Sequence, residues 1–234
     1  MIKKMNISQS ETILDYAITE GKDLINDRST RILTSIESGE IKSLQAKKFY
    51  EEFETYCEVI ECLKMIQGKT TISSPQIART LKFAELEGIH TCMNSNSKIL
   101  FIGSGPFPES AMSYYTKFNC EVRCLDNNIV AVALSEKLFE ALNLPIKITY
   151  CDGRYFDYKG YTHIILAVLS RPKEEILERI RQTNNDAIII CRTVDKDKEH
   201  IYPRIEQKNL RGFKLAKEIR SPEAIMYSLI LNTI

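Results

Sequence analysis

The pattern of apolar and polar positions divides the chain into two parts near residue 97. Before that point, apolar residues recur with helical spacing. Helices are predicted in SQSETILDYAITEGKDLIN, with Ser8 and Glu11 in a capping-box pattern, in LQAKKFYEEFETYCEVIECLKMI, which ends at Gly68, and in SSPQIARTLKFAELEGIHTC, which begins at Pro75. We therefore expect a helical domain over residues 1–96 and a second domain over 97–234.

After residue 97, short apolar runs alternate with helical stretches. KILFIGSG, EVRCLDNN, IKITYCDG, THIILAVLS and DAIIICRT are predicted strands that are buried on both faces, and PESAMSYYTKF, IVAVALSEKLFEAL and KEEILERIRQT are predicted helices between them. GFKLAKEIRS and AIMYSLILNTI are predicted to form an antiparallel pair at the end of the chain. This order is typical of an α/β fold with a doubly wound, Rossmann-like sheet.

Composition narrows the functional class. The 234 residues include 32 Lys and Arg against 31 Asp and Glu, and this balance argues against binding to a nucleic-acid backbone. No apolar run approaches the ~18 residues that cross a bilayer, and the N-terminus lacks the apolar region of a signal peptide. We expect a cytoplasmic protein that binds neither membrane nor nucleic acid.

Cysteine and histidine spacing predicts no metal site. The seven cysteines include the pairs Cys57/Cys62 and Cys120/Cys124, neither of which has C-x-x-C spacing. The three histidines show no ligand spacing either. We expect reduced cysteines, structural histidines and no metal.

The strongest local signal is Gly103-Ser104-Gly105-Pro106, which lies between the first predicted strand and a helix. Gly103 permits a tight turn, and Gly105 lets a ligand approach the backbone. Position 108 is Pro, so the G-x-G-x-x-G of dinucleotide-binding proteins is incomplete. Because a pyrophosphate rests on that helix N-terminus, the missing glycine favours an adenosyl ligand without phosphate, such as S-adenosylmethionine.

Acidic residues end the next two predicted strands. Asp126 follows Gly105 by 21 residues, the position at which an acid meets the ribose hydroxyls of a nucleoside, although it is also a candidate N-cap of the next helix. Asp152 ends the third strand, where a carboxylate can accept a hydrogen bond from an adenine amino group. Its alternative role is that of a turn aspartate before Gly153.

Other polar residues have two interpretations each. Glu85 and Glu87 point in different directions from one predicted helix, and a solvated face accounts for either. One of Tyr114 and Tyr115 is expected to pack and the other to reach the site, where an aromatic face favours a sulfonium cation. Arg192 ends the fifth strand, where it holds a substrate carboxylate or belongs to a surface ion pair.

From about residue 77 onward the chain resembles the nicotianamine synthases. ILFIGSGPFPES is similar to that family's strand followed by GSGPLPLTS, and IIICRTVDKDKEHIYP resembles its LMLRSAHGARAFLYP. The resemblance implies a methyltransferase-like Rossmann fold with S-adenosylmethionine as substrate. It also implies transfer of the 3-amino-3-carboxypropyl group to an amine, with release of 5′-methylthioadenosine.

The resemblance implies roles for individual residues. Glu87, in LKFAELEGI, falls on the glutamate regarded as catalytic in the family, and a base is needed to deprotonate an amine at neutral pH. Tyr114 completes the expected catalytic set. Arg192 and Tyr202 fall on an arginine and a tyrosine suited to hold a carboxylate, and Glu109 stands in place of an apolar or aromatic residue, so it bears on the substrate. The residues expected to bind S-adenosylmethionine are Gly103, Ser104, Gly105, Pro106, Asp126, Asn127, Asp152, Gly153 and Ala167.

Several alternatives stay open at the level of sequence. The amine of S-adenosylmethionine can attack its own γ-carbon to give azetidine-2-carboxylate, with no acceptor. A small-molecule methyltransferase would use the same fold, and a regulatory domain would bind the nucleoside without turnover. The helices before residue 97 are expected to cover the carboxyl edge of the sheet as a lid, or to serve in packing or in a homodimer.

Overall fold

The computed structural model of the chain describes residues 27–69, 75–222 and 224–234. Three helices come first: α1 (Asp27–Glu37), α2 (Leu44–Ile66) and α3 (Pro75–His90). The predicted helices that became α2 and α3 are confirmed, the helix predicted from Ser8 lies outside the described residues, and α1 was not predicted. Ser43 caps α2, since its hydroxyl accepts a hydrogen bond from the Ala46 amide at 3.0 Å.

The second part of the described chain alternates strands and helices as predicted. Its strands are β1 (Lys98–Ile102), β2 (Glu121–Asp126), β3 (Lys147–Tyr150), β4 (His163–Leu166), β5 (Ile188–Val194), β6 (Phe213–Arg220) and β7 (Met226–Thr233). The helices between them are α4 (Glu109–Phe118), α5 (Ile129–Ala141) and α6 (Lys173–Thr183).

The described strands form one seven-stranded sheet in the order β3-β2-β1-β4-β5-β7-β6. Strands β1 to β5 pair in parallel, and β7 pairs antiparallel with both β5 and β6, so the predicted terminal hairpin is confirmed. The parallel order reverses between β1 and β4, which places a crevice at the carboxyl ends of these strands. The sheet is a methyltransferase-like Rossmann fold, as expected.

Apolar side chains cover both faces of the sheet. Ile99 and Phe101 enter the core under α4 and α5, whereas Leu100 and Ile102 enter the core under α6. Successive side chains of a strand point to opposite faces, so an unbroken apolar run is what a strand covered on both sides requires. This packing holds the ends of β1 and β2 in fixed positions.

Helix α3 packs closely against α4. A Cβ atom on Gly88 would overlap the ring of Phe118, so only glycine allows this approach. The contact brings Glu87, the preceding residue, next to α4 and to the carboxyl edge of the sheet. Ile89, near the end of α3, does not join this packing, since its side chain is 59% exposed.

Cysteine and histidine side chains have structural surroundings. All seven cysteines are free thiols. His163 is buried, and its Nε2 lies 3.0 Å from the Thr91 carbonyl oxygen. Within the described ranges, no group of His, Cys, Asp and Glu is arranged to hold a metal ion. None of the helices in the same ranges combines the length and apolarity that a membrane span requires.

Candidate active site

A cavity of about 470 Å³ lies at the carboxyl ends of the parallel strands. Its floor consists of the segments that follow β1 to β4, and α2 forms part of the opposite wall. The predicted residues that line it are Gly103, Ser104, Gly105, Pro106, Glu109, Asp126, Asn127, Asp152, Gly153, Ala167 and Arg192. Glu87, Tyr114 and Tyr202 lie outside the lining.

The glycine loop is tied to the end of β2. Gly103 and Gly105 have φ angles of +73° and +70°, a left-handed conformation that favours glycine. The Gly105 amide donates a hydrogen bond to Asp126 Oδ2 at 2.9 Å, and the Asn128 amide donates to Asp126 Oδ1 at 2.8 Å. Burial raises the pKa of Asp126, while these backbone donors oppose the shift.

Asn128, rather than Asp126, caps helix α5. Its side-chain oxygen accepts a hydrogen bond from the Val130 amide at 2.9 Å. The alternative role of Asp126 as the N-cap is therefore wrong. The Asp126 carboxylate instead faces the cavity at the edge of the loop, where an acid can meet ribose hydroxyls.

Asp152 has the turn role that was considered as its alternative. It caps a short 3₁₀ helix, Gly153–Tyr155, by accepting from the Arg154 amide at 2.9 Å. The Arg154 guanidinium also donates to Asp152 Oδ2 at 2.7 Å, and this hydrogen bond lowers the pKa of the carboxyl. The side chain lines the cavity nonetheless, so a ligand there meets a carboxylate that already has a cationic partner.

Glu87 and Arg192 form an ion pair inside the protein. Arg192 Nη2 lies 2.8 Å from Glu87 Oε2, and Nε lies 3.0 Å from Oε1. Ser228 Oγ donates to the same carboxylate at 2.5 Å, and the Tyr114 hydroxyl donates to it as well. Glu87 is 0% exposed and Arg192 is 5% exposed. Placement of either residue on a solvated surface is therefore wrong. The neighbour that fits a surface role is Glu85, which pairs with Lys117 at 2.6 Å.

Arg192 separates Glu87 from the cavity. Its Nη1 donates to Ser110 Oγ at 2.8 Å, and both Arg192 and Ser110 line the cavity. The rings of Phe83 and Phe101 each lie 5.2 Å from the guanidinium carbon. Although burial alone would lower the pKa of Arg192, Glu87 and Tyr114 hold it above its ordinary value. The cavity wall thus carries a guanidinium, a group that binds carboxylates, and in this structure Glu87 and Ser110 hold it.

The tyrosines have different surroundings. Tyr114 is completely buried, and burial together with Glu87 raises its pKa. Tyr115 packs against the apolar core. Tyr202, expected to hold a substrate carboxylate, donates instead to Glu54 of α2, and its ring lies edge-on to Tyr50 with the centroids 6.1 Å apart. Burial raises the pKa of Glu54 to about 7.

Helix α2 supplies residues that the sequence analysis missed. Glu51, Thr55 and Glu58 line the cavity from this helix. Their spacing of four and three residues places them on one helix face, so an acidic stripe in YEEFETYCEVIE was the available signal. The pattern was interpreted only as an amphipathic helix. The expected cover over the carboxyl edge therefore corresponds, in the described residues, to α2.

The segment between β4 and α6 is held by a lysine that was also missed. Lys173 is 4% exposed, and its Nζ donates to the carbonyl oxygens of Val168 and Ser170 at 2.5 and 2.9 Å. Burial lowers the pKa of Lys173 to about 8. Because Val168 and Ser170 line the cavity, this lysine fixes part of the wall.

Comparison with known proteins identifies relatives of this chain. The sequence model of a family described as nicotianamine synthase protein matches residues 79–233. L-histidine 2-aminobutanoyltransferase of Yersinia pestis is 28% identical over 89 residues, which cover 38% of this chain and 34% of that enzyme. The enzyme of the same name from Pseudomonas aeruginosa strain UCBPP-PA14 is 24% identical over 144 residues, covering 60% of this chain and 54% of that enzyme. The matches thus span about a third to a half of the length of these relatives.

Solved structures share the fold. MtNAS in complex with MTA and tNA superposes with a TM-score of 0.74 at 19% identity, covering 100% of this chain and 91% of that chain. A mutant of MtNAS in complex with S-adenosylmethionine also has a TM-score of 0.74, at 17% identity, with 98% and 99% of the two chains covered. At these identities the likeness establishes the architecture.

Proposed function

The chain belongs to the nicotianamine synthase family, and we propose that it transfers the 3-amino-3-carboxypropyl group of S-adenosylmethionine to an amine and releases 5′-methylthioadenosine. The observation that carries this proposal is the cavity in which the glycine loop, Asp126 and Arg192 converge. The related aminobutanoyltransferases and the methylthioadenosine in the MtNAS complex support the same reaction class.

The adenosine portion would bind at the ends of β2 and β3. Asp126 is the acceptor for the ribose hydroxyls, because its carboxylate is held by two backbone amides and borders the cavity. Asp152 and Gly153 border the position of the adenine. Ser104 and Ala167 line the middle of the cavity, where the sulfonium would pass.

The amino-acid portion would extend toward Arg192. A guanidinium binds a carboxylate with two parallel hydrogen bonds, and Arg192 already adopts that geometry with Glu87. Arg192 would set the orientation of the chain that is transferred once it turns from Glu87 to the substrate carboxylate. Orientation is a large part of what a protein supplies when the electrophile is already activated by its positive sulfur.

The reaction needs an unprotonated amine. The amine lone pair forms a bond to the γ-carbon, the carbon–sulfur bond breaks, and its electron pair neutralises the sulfur of the departing methylthioadenosine. Glu87, with Tyr114 beside it, is the proposed acceptor of the amine proton. Because Arg192 lies between Glu87 and the cavity, this role requires the guanidinium to turn toward the substrate carboxylate and expose a Glu87 oxygen.

The products distinguish the proposed function from its alternatives. Purified full-length protein is incubated with S-adenosylmethionine and a panel of amino acids and diamines, and the nucleosides are separated by chromatography with mass detection. Methylthioadenosine that depends on an added amine supports the proposal. S-adenosylhomocysteine would identify a methyltransferase, azetidine-2-carboxylate from S-adenosylmethionine alone would identify a cyclase, and binding without product would identify a non-catalytic domain.

A further inference from the structure

Glu109 presents a carboxyl group to the cavity and forms no salt bridge within the described residues. It is the first residue of α4, and its Oε1 accepts a hydrogen bond from Thr80 of α3 at 2.9 Å. Its Oε2 is buried and has no hydrogen-bond partner among the described residues. The hydroxyl of Ser104, which lines the same cavity and is 7% exposed, also has no nitrogen or oxygen partner there, although it interacts with the thiol of Cys124. Buried polar atoms of this kind normally have partners, so both point to a ligand.

Glu58 brings a second carboxylate to the same cavity from α2. A Cβ atom built on Gly105 would lie 2.5 Å from Glu58 Oε2, so the carboxylate lies directly on the glycine loop. Burial raises the pKa of Glu58 well above its ordinary value, and the nearby carboxylates of Glu54, Glu109 and Asp126 add to the shift. Burial also raises the pKa of Glu109, opposed by the hydrogen bond from Thr80 and by the positive charges of Arg192 and Arg79. Both carboxyl groups thus resist ionisation in this structure, and a nearby cation would favour their charged forms.

The two arginines that line this cavity already have acidic partners. Arg192 is bound to Glu87, and Arg171 Nη2 lies 2.5 Å from Glu51 Oε2. Within the described part of the chain, neither Glu58 nor Glu109 takes part in a salt bridge. Buried carboxyl groups that no salt bridge neutralises are costly to ionise, and a positively charged ligand reduces that cost.

S-adenosylmethionine does not account for both carboxylates. Its one carboxylate is assigned to Arg192, and its amino-acid portion passes the glycine loop, where Glu58 lies beside Gly105. Glu109 lies farther along, at the start of α4 and beside Thr80. The resemblance places an apolar or aromatic residue at this position, so the carboxylate is a feature of this chain rather than of the shared loop.

We propose that Glu109, with Glu58 beside it, forms an acidic subsite that binds a cationic group of the acceptor other than the amine that reacts. The acceptor is then an amino acid with a positively charged side chain, or a diamine. This inference rests on the proposed function for the identity of the acceptor, but the subsite itself rests on the two carboxylates.

Pairs of amino acids that differ only by a terminal ammonium group test the subsite directly. Binding of L-lysine against L-norleucine, and of L-ornithine against L-norvaline, is measured by calorimetry on the full-length protein with and without methylthioadenosine. A charge-assisted hydrogen bond in a buried site corresponds to roughly a ten- to hundredfold difference in affinity. We expect the cationic member of each pair to bind more tightly by that factor.

Variants assign the preference to its residues. Glu109→Leu and Glu109→Gln should bring the lysine-to-norleucine ratio close to one, and Glu58→Gln should reduce it less. Glu52→Gln is the matched control, since Glu52 lies on α2, is exposed and pairs with Lys48 at 3.6 Å. Retention of the wild-type ratio by this control supports the assignment. Thermal unfolding verifies that each variant is folded. If Glu109→Leu does not fold, the lysine-to-norleucine affinity ratio of Glu109→Gln is compared with that of the wild type.

The outcomes separate this inference from the proposed function. Equal affinity for charged and neutral side chains, or an unchanged ratio in the Glu109 variants, overturns the subsite. If lysine and norleucine lose affinity by the same factor in those variants, the subsite is also overturned, because Glu109 would then bind the reacting amine. If methylthioadenosine forms but charged and neutral acceptors bind equally well, the proposed reaction is supported and the subsite is contradicted. If cationic acceptors bind more tightly but S-adenosylhomocysteine is the product, the subsite is supported and the proposed reaction is contradicted.

Discussion

Arg192 binds Glu87 through two hydrogen bonds, of 2.8 and 3.0 Å, although the residues are 105 positions apart in the sequence. One comes from β5 and the other from α3, so the pair joins the helical part of the chain to the sheet. Both side chains are almost completely buried, and a buried charge that loses its partner is strongly destabilising.

Replacement of Glu87 should affect both stability and activity. In Glu87→Gln the charge on Arg192 is no longer balanced, and we expect the free energy of unfolding to fall by about 3 kcal/mol. Methylthioadenosine formation should fall by roughly a hundredfold or more, because the proposed base is lost. Chemical denaturation and the product assay measure the two effects.

The matched control for Glu87→Gln is Glu85→Gln on the same helix. Glu85 forms a surface pair with Lys117, so its replacement should change the free energy of unfolding by less than about 1 kcal/mol. Equal effects of the two substitutions would contradict the structural role of the buried pair.

Asp126→Asn should weaken the binding of S-adenosylmethionine by roughly ten- to a hundredfold, because a neutral amide accepts ribose hydrogen bonds less strongly than a carboxylate. Asn keeps an oxygen for only one of the two amides of Gly105 and Asn128, so the variant also loses a hydrogen bond of the loop, and thermal unfolding must show that it is folded. Calorimetric titration measures the affinity, and the exposed Asp186→Asn is the control. An unchanged affinity would show that the nucleoside binds elsewhere.

The stability of the protein should fall as the pH rises from about 5 to 7. Burial raises the pKa of Glu54 from 4.5 to about 7, so the folded protein holds a proton on this group that the unfolded chain releases. In that range the native state binds more protons than the unfolded state. The free energy of unfolding therefore decreases with rising pH, by up to about 3 kcal/mol.

Glu54→Gln should remove this part of the pH dependence and stabilise the protein at pH 8 relative to the wild type. The amide oxygen still accepts from Tyr202. Melting temperatures of both proteins between pH 5 and 8 test the effect, with Glu52→Gln on the same helix as the control. Parallel pH curves for wild type and Glu54→Gln would show that another group is responsible.

Lys173→Met should loosen one wall of the cavity. The substitution leaves the carbonyls of Val168 and Ser170 without their donor, and we expect a loss of about 2 kcal/mol in the free energy of unfolding. It should also weaken the binding of S-adenosylmethionine, whereas the exposed Lys159→Met should do neither. Denaturation and calorimetry provide the measurements, and an unaltered affinity would mean that the lysine stabilises the fold without shaping the cavity.

The sheet was predictable because its signals are local. Each apolar run of β1 to β5 is bounded by polar or turn residues, and the glycine loop marks where the first strand ends. Helix α1 was missed because DRSTRILTSIE is short and largely polar. The family motifs indicated the position of the site, since they lie at the carboxyl ends of strands that meet at one edge of the sheet.

The partners of the site residues were not predictable from spacing. A glutamate within a helix is expected to be exposed to solvent unless its cationic partner is known. The partner of Glu87 is Arg192, which lies on a strand that is distant in sequence. The same holds for Tyr202, whose partner Glu54 is 148 positions away. The contribution of α2 depends on how this helix lies over the glycine loop, and that arrangement is a property of tertiary packing.

The position of Glu58 beside Gly105 determines how a molecule gains access to the loop backbone. The space that a side chain at Gly105 would occupy is taken by a carboxylate at the end of a flexible side chain, not by backbone. Rotation about its side-chain bonds can move this carboxylate without a shift of α2 or of the sheet. A molecule that approaches the backbone at Gly105 therefore meets one flexible acidic side chain there.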